Sequence, residues 1–202
     1  PFEMKMMVEE CVIPDLQRRA GVTAVIKSRV LKTWGQSESG LDEMLTERMA
    51  HLDKTGRATI AFQASGIEGL KVRVTVKANS EEEATRILAE EEAEVRDVIG
   101  VYVFGTDDET MESVVLQLLR ERGLTLAVAE SVTGGMVAAR LTSVPGSSDV
   151  LRGGIVAYAS DVKFSLLDVP EGPVVTPDAA RAMADGVRKI LKADVGISTT
   201  GV

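Results

Sequence analysis

Apolar positions recur along the chain in two rhythms, and together they divide it into two runs of elements. From Val25, "VIKSRVLKTWG" is rich in β-branched residues and stops at Gly35, which predicts a strand. Leu41, Met44, Leu45, Met49 and Leu52 then fall on one helical face, closed by Lys54 and Gly56. "ATIAFQAS" and "LKVRVTVKA" flank "GIEG" (66–69) as a hairpin. In its second arm Val72, Val74 and Val76 alternate with Lys71, Arg73, Thr75 and Lys77. Ser80 is placed to cap the next helix, with Glu83 three residues on completing a capping box, and "GVYVFG" follows as a strand. The order β-α-β-β-α-β over residues 25–105 predicts a small α+β domain with both helices on one sheet face.

"TDDE" (106–109) is a polar joint into a second run. Met111, Val114, Val115, Leu118 and Leu119 predict an amphipathic helix. Beyond Gly123 come strand "LTLAVAE", helix "GGMVAARLTS", turn "VPGSS", strand "GGIVAYAS" and a short helix from Val162. Thr176 as N-cap and Pro177 at the first helical position open a last helix. Its expected buried stripe is Ala180, Met183, Val187, Ile190 and Leu191, and strand "DVGISTTGV" follows. Strands alternating with helices predict a layered α/β domain with a largely parallel sheet over residues 106–202. Residues 1–24 begin without an initiator methionine, are interrupted by Pro14, and read as the tail of something larger.

Composition narrows the chemistry. A mean hydropathy of +0.08 fits a folded globular chain. No apolar run approaches the roughly 18 residues that span a bilayer, so no membrane partner is expected. Cys11 is the single cysteine, which is compatible with the cytoplasm, and His51 is the single histidine. These counts remove disulfides, cysteine metal clusters, histidine zinc sites and Ser–His–Asp triads. The net charge of −8 is concentrated between Ser80 and Ile99, where eight acidic residues face only Arg86 and Arg96. Such a balance disfavours nucleic acid as a partner. "GIEG" matches the GxxG of KH modules, yet it joins two strands here, whereas the binding loop of those modules joins two helices.

Two strand ends carry candidate chemistry. In "LAVAESVTGGM" (126–136) Ser131 stands between an apolar strand and a helix start, as a helix cap or as a nucleophile. Gly134 and Gly135 cost helix stability, which suggests close approach of a ligand to the backbone, and free N–H groups there suit a phosphate or an oxyanion. In "YASDVK" (158–163) Tyr158 falls at a strand end and Lys163 about one turn into the next helix, as a rim tyrosine and a solvated lysine or as a proton-transfer pair. An uncharged lysine can deprotonate a serine when burial lowers its pKa from about 10.4. With no histidine in this region, Ser–Lys(–Tyr) is the one serine-activation scheme it can build.

At these residues the chain resembles the competence/damage-inducible protein CinA family. "AESVTGGMVAARLTSVPGSSDVLRGGIVAYASDVKFSLLDV" is similar to that family's C-terminal domain, with its AESCTGG, LTSVPGSS and GGxVAYSNxxK segments. Residues 25–105 resemble its KH-like domain, and "PFEMKMM" the close of a preceding molybdopterin-binding-like domain. The resemblance implies a metal-independent, cofactor-free amidase of pyridine nucleotide salvage. It would hydrolyse the carboxamide of nicotinamide mononucleotide to nicotinate mononucleotide and ammonia. Carried over, Ser131 attacks the carboxamide carbon while Lys163 and Tyr158 move protons. By the geometry of the helix start, the N–H groups around Thr133, Gly134 and Gly135 are expected to bind substrate by stabilising its oxyanion, while Thr200 and Gly201 of the family's TGIAGP segment contact the substrate. A homodimer is also implied. Val132 replaces the family's usual cysteine, and "TTGV" ends where the family continues into AGP, so a truncated domain is expected. The alternative is a non-catalytic nucleotide-binding or dimerisation fragment.

Overall fold

The computed structural model describes residues 2–21, 24–64 and 66–201. Pro1, Val22, Thr23, Ser65 and Val202 lie outside the described residues, Ser65 and Val202 at the ends of expected strand segments. The chain divides into two compact units after Asp108.

The first unit opens with a helical run: α1 (Phe2–Met7), a π-turn over Val8–Val12, and α2 (Ile13–Ala20). Pro14 does not break this run as its lack of an N–H would suggest. A proline ring collides with the carbonyl four residues back, and here the turn widens instead, with the Ile13 N–H reaching Val8 O five residues back. Next come β1 (Val25–Thr33), α3 (Glu38–Thr55), β2 (Ala58–Ala64), β3 (Leu70–Ala78), α4 (Glu81–Ile99) and β4 (Val103–Thr106).

The sheet is antiparallel in the order β2-β3-β1-β4. β1 and β3 pair without a break from Val25↔Ala78 to Thr33↔Leu70, so Leu31 falls beside Val72 on the buried face. α3 and α4 both cover that face, burying Leu31, Leu41, Leu45, Leu52, Val72, Val74, Val76, Val95 and Ile99 in one core. Ser80 caps α4 by accepting from the Glu83 N–H at 3.1 Å, but the Glu83 carboxylate takes the Asn79 N–H, one residue earlier than a full capping box requires. "GVYVFG" begins as a 3-10 turn over Gly100–Tyr102, which leaves the strand only its second half.

The second unit holds α5 (Met111–Arg122), β5 (Leu126–Glu130), α6 (Met136–Thr142), β6 (Leu151–Val156), α7 (Ser160–Leu167), α8 (Pro177–Ile190) and β7 (Val195–Thr199). Its three strands are parallel in the order β6-β5-β7. β5 is central and wholly buried, and alternation divides its side chains between two cores. Ala127 and Ala129 pack with Leu167, Met183 and Val187 beneath α7 and α8. Leu126 and Val128 pack with Leu116, Leu119 and Leu141 beneath α5 and α6. Both faces of a parallel sheet are thereby covered, which explains why β5 carries an unbroken apolar run.

α8 is rotated from its expected stripe: Ala179, Met183, Gly186 and Val187 are buried, whereas Ile190 is exposed. The cause is a close approach. A Cβ on Gly186 would lie 2.2 Å from the carbonyl oxygen of Leu167, and one on Gly196 of β7 would lie 2.1 Å from that of Ala184. Helix and sheet meet at main-chain distance, which hydrophobic periodicity alone does not encode.

Gly186→Ala is therefore expected to destabilise the second unit by about 1–3 kcal/mol, as overpacking does. Sterics outweigh the roughly 1 kcal/mol by which alanine is the better helix former. The urea midpoint of unfolding checks this, and an unchanged midpoint would mean that α8 can lift off Leu167.

Candidate active site

Parallel strands deliver their following loops to one edge of the sheet, and three such loops meet here. Glu130, the last residue of β5, pairs with Val156 of β6 and Thr199 of β7. The ladder continues one step beyond: the Ala157 N–H donates to Glu130 O at 2.8 Å, and the Ser131 N–H donates to Thr199 O at 3.0 Å. Ser131, Tyr158 and Thr200 thus leave neighbouring strands side by side.

Glu130 organises this edge. Its side chain is 1% exposed. One carboxylate oxygen accepts the Thr133 hydroxyl at 2.6 Å and the Gly135 and Val137 N–H groups at 3.0 Å each; the other accepts the Ala138 N–H at 2.7 Å. Burial on its own would raise the carboxyl pKa. The Thr133 hydroxyl and the three backbone donors outweigh it and hold the group below the usual carboxylate value. Because Thr133 gives its proton to Glu130, the 2.6 Å contact between Thr133 and Thr199 has Thr199 as donor, a relay from β7 to β5.

The remaining donors of the loop follow from an accounting of N–H groups. Gly134 donates to Ser131 O and Met136 to Thr133 O, each at 3.0 Å. Gly134 and Gly135 therefore have their N–H groups engaged within the loop. Their φ values of +59° and +101° place both in the left-handed region, so the turn itself favours glycine there. Among the described residues only the Val132 and Thr133 N–H groups of this loop make no hydrogen bond.

The other expected site residues are placed as follows. Ser131 is 6% exposed, and its hydroxyl makes no hydrogen bond within the described residues. Its side chain caps nothing, so the cap reading of this serine is not what the structure shows; Glu130 does the capping. Lys163, on the first turn of α7, is 2% exposed and not solvated, with its amine donating to the Tyr158 carbonyl at 2.8 Å. It makes no ion pair among the described residues. Tyr158 turns its ring outward, 76% exposed, and meets Lys163 through its main chain. The Thr200 hydroxyl donates to Val174 O at 2.7 Å, and Gly201 lies against Val132. Reading the sequence missed Glu130 and Thr199. The available signal was a carboxylate that closes an otherwise apolar strand just before a helix start.

The first unit offers a contrast. A cleft of about 270 Å³ between β1 and α4 is lined by Lys27, Arg29, Thr85 and Glu92. Its charges already serve one another: Lys27 bonds Thr85 and Glu81, while Arg29 reaches Glu92 and Asp107. In the "GIEG" turn a Cβ on Gly69 would lie 2.3 Å from Thr33 O, and Glu68 pairs with Lys71, so this turn is built for packing. Among the described residues no three His, Cys, Asp or Glu side chains gather closely enough to hold a metal, and no helix is long and apolar enough to cross a membrane.

Fold and strand-edge site together define a two-unit protein in which a KH-like α+β unit precedes a parallel α/β unit with a serine–lysine edge. The sequence matches the CinA C-terminal domain over residues 108–202 and the damage-inducible protein CinA KH domain over residues 28–105. This chain belongs to the CinA family. It is similar to a CinA-like protein of Frankia casuarinae at 47% identity, covering 100% of this chain and 48% of that protein. It is similar at 42% to a CinA-like protein of Gloeobacter violaceus, covering 100% and 47%. A solved CinA superfamily protein from Escherichia coli is 30% identical over 45% of this chain and 55% of that one, with a TM-score of 0.44. The chain spans about half the length of the curated relatives it matches.

Because Glu130 is held ionised by the fold, its contribution has a defined pH window. A depressed carboxyl pKa stabilises the native state above the unfolded value of 4.5, and that stabilisation is lost as pH falls through the lower folded value. The stability gap between the wild type and Glu130→Gln should be fully open at neutral pH and narrow steadily in acid. Urea unfolding at a series of pH values measures it.

Proposed function

We propose that the second unit is an amide hydrolase acting on the carboxamide of nicotinamide mononucleotide, with Ser131 as nucleophile and Lys163 as base. One observation carries this reading: among the described residues, a serine hydroxyl without a hydrogen-bond partner follows the end of β5, and a buried lysine without a counter-ion, on the first turn of α7, bonds the Tyr158 carbonyl in the loop that follows the adjoining strand β6. A buried charged-type side chain with no opposite charge is costly, and such sites cluster where chemistry is performed. Family membership supports the choice of reaction.

In the first step the Ser131 oxygen bonds to the carboxamide carbon, its proton passes to the neutral Lys163 amine, and the carbonyl electron pair moves to oxygen. Collapse of that intermediate breaks the carbon–nitrogen bond, and ammonia leaves with the proton from Lys163. Water, deprotonated by the same amine, then cleaves the acyl-serine to release nicotinate mononucleotide. Tyr158, at the open mouth of the site, contributes its hydroxyl to this proton traffic once substrate covers it. Thr200 and Gly201, on the adjoining loop, border the substrate. Neither metal nor cofactor has a part in these steps.

We assign residues 1–24 to the close of a preceding domain, and the working protein to a cytoplasmic homodimer. The exposed, unpaired Cys11 is compatible with a reducing compartment.

Ammonia release from nicotinamide mononucleotide tests the reading, measured on this chain and on a version extended to the length of its relatives. Ser131→Ala should abolish turnover, Lys163→Ala should lower kcat by about 10²–10⁴-fold, the range of a lost general base, and Tyr158→Phe should cost less. Undiminished turnover in Ser131→Ala would sink the nucleophile assignment. Turnover should persist in His51→Ala, since the steps above use no imidazole.

A further inference from the structure

We propose that the oxyanion of this reaction is held by the Val132 and Thr133 N–H groups, and that Glu130 is the positioning residue that leaves those two, and no others, free. This deepens the amidase reading and rests on it.

Hydrogen-bond accounting carries the inference. Of the backbone donors from Ser131 to Ala139, seven have internal acceptors: Thr199 O, Ser131 O, Thr133 O, Gly135 O and, three times over, the Glu130 carboxylate. The Gly135, Val137 and Ala138 N–H groups would otherwise be the natural anion site of a strand–helix junction. An internal carboxylate already sits there. A nucleotide phosphate or an oxyanion at that point would have to displace a buried, four-fold hydrogen-bonded Glu130. The donors left over are those of the two residues following Ser131, where nucleophile–helix turns in other hydrolases also find an oxyanion donor. Val132 is half exposed, and among the described residues its N–H has no hydrogen bond to break on binding.

Glu130 reaches these donors only through the loop. Its bond to the Thr133 hydroxyl, backed by the Thr199 hydroxyl, fixes the residue carrying one free N–H; its three backbone bonds fix the other end of the same turn. Loss of this anchor should misdirect donors that act on the developing charge, and so lower kcat with little change in KM. A carboxylate that served only stability would lower the folded fraction and leave the kcat of the folded enzyme intact.

Two measurements on the same variants decide the matter. Steady-state ammonia release per folded enzyme should show kcat down by about 10–100-fold in Glu130→Gln and Thr133→Val, approaching the loss of an oxyanion donor. KM should stay within about twofold, and Thr133→Ser, which keeps the hydroxyl, should restore kcat. Amide hydrogen exchange, which needs no turnover, should show Gly135, Val137 and Ala138 protected in the wild type and released in Glu130→Gln, with Val132 and Thr133 fast in both. A raised KM with unchanged kcat, or protection indifferent to Glu130→Gln, overturns the inference while leaving the deamidase standing. Absence of ammonia from the wild type overturns the deamidase and the oxyanion assignment with it; the exchange pattern then still decides whether Glu130 sets the loop.

Discussion

A carboxylate taken out of water survives as an anion only if the protein replaces the hydrogen bonds that water supplied. Glu130 has four such replacements, three from the main chain of one turn and one from Thr133. The edge of the second unit is arranged around that requirement. The turn must bring Gly135, Val137 and Ala138 back over the end of β5, which demands two successive glycines at positive φ. It must also carry Thr133 to within reach of β7, which ties the third strand into the same network. Ser131 stands at the pivot, held by its main chain on both sides and free at its hydroxyl.

The buried lysine follows a complementary logic. Among the described residues Lys163 is anchored by a single bond, to the main chain of the loop after β6, so its amine is placed without a counter-ion. Carboxylate and amine do not pair among the described residues: the carboxylate is saturated by N–H and O–H donors, and the amine bonds the Tyr158 carbonyl. The first unit resolves buried charge in the opposite way. Glu91, wholly buried on α4, is faced by Arg48 and Arg57, and the cleft beside Lys27 and Arg29 is lined by charges that satisfy one another. Such pairs fix packing and offer nothing to a ligand. Charge density is thus a poor guide to chemistry in this chain, since its most acidic stretch is also its most self-contained.

Hydrophobic period and cap chemistry were enough to read the element order from Val25 onward, because each helix presents its apolar face to one sheet and each cap is local; the helical run over Phe2–Ala20 was not read. Thr176, Pro177, Gly56 and Gly123 mark their boundaries where expected. The candidates Ser131 and Lys163 were also legible, the first as a polar residue at the end of an apolar strand and the second about one turn into the helix after the next strand. The register of α8, the widened turn at Pro14 and the late start of β4 were not. These depend on what a backbone meets after folding: the Leu167 carbonyl under Gly186, or a carbonyl ahead of a proline ring.

What the sequence determined by itself was therefore the set of elements from Val25 onward, the two-unit order and a chain with a single imidazole, all consequences of residue type and short-range spacing. Only the tertiary structure decided which groups are used and which are free. The partner of Glu130 includes a hydroxyl relay from Thr199, 69 residues away along the chain, and the unsolvated state of Lys163 comes from the packing of α7 against the sheet. Hydrogen-bond donors are consumed by whatever acceptor the fold brings near, and that outcome is set by three strands meeting at one edge.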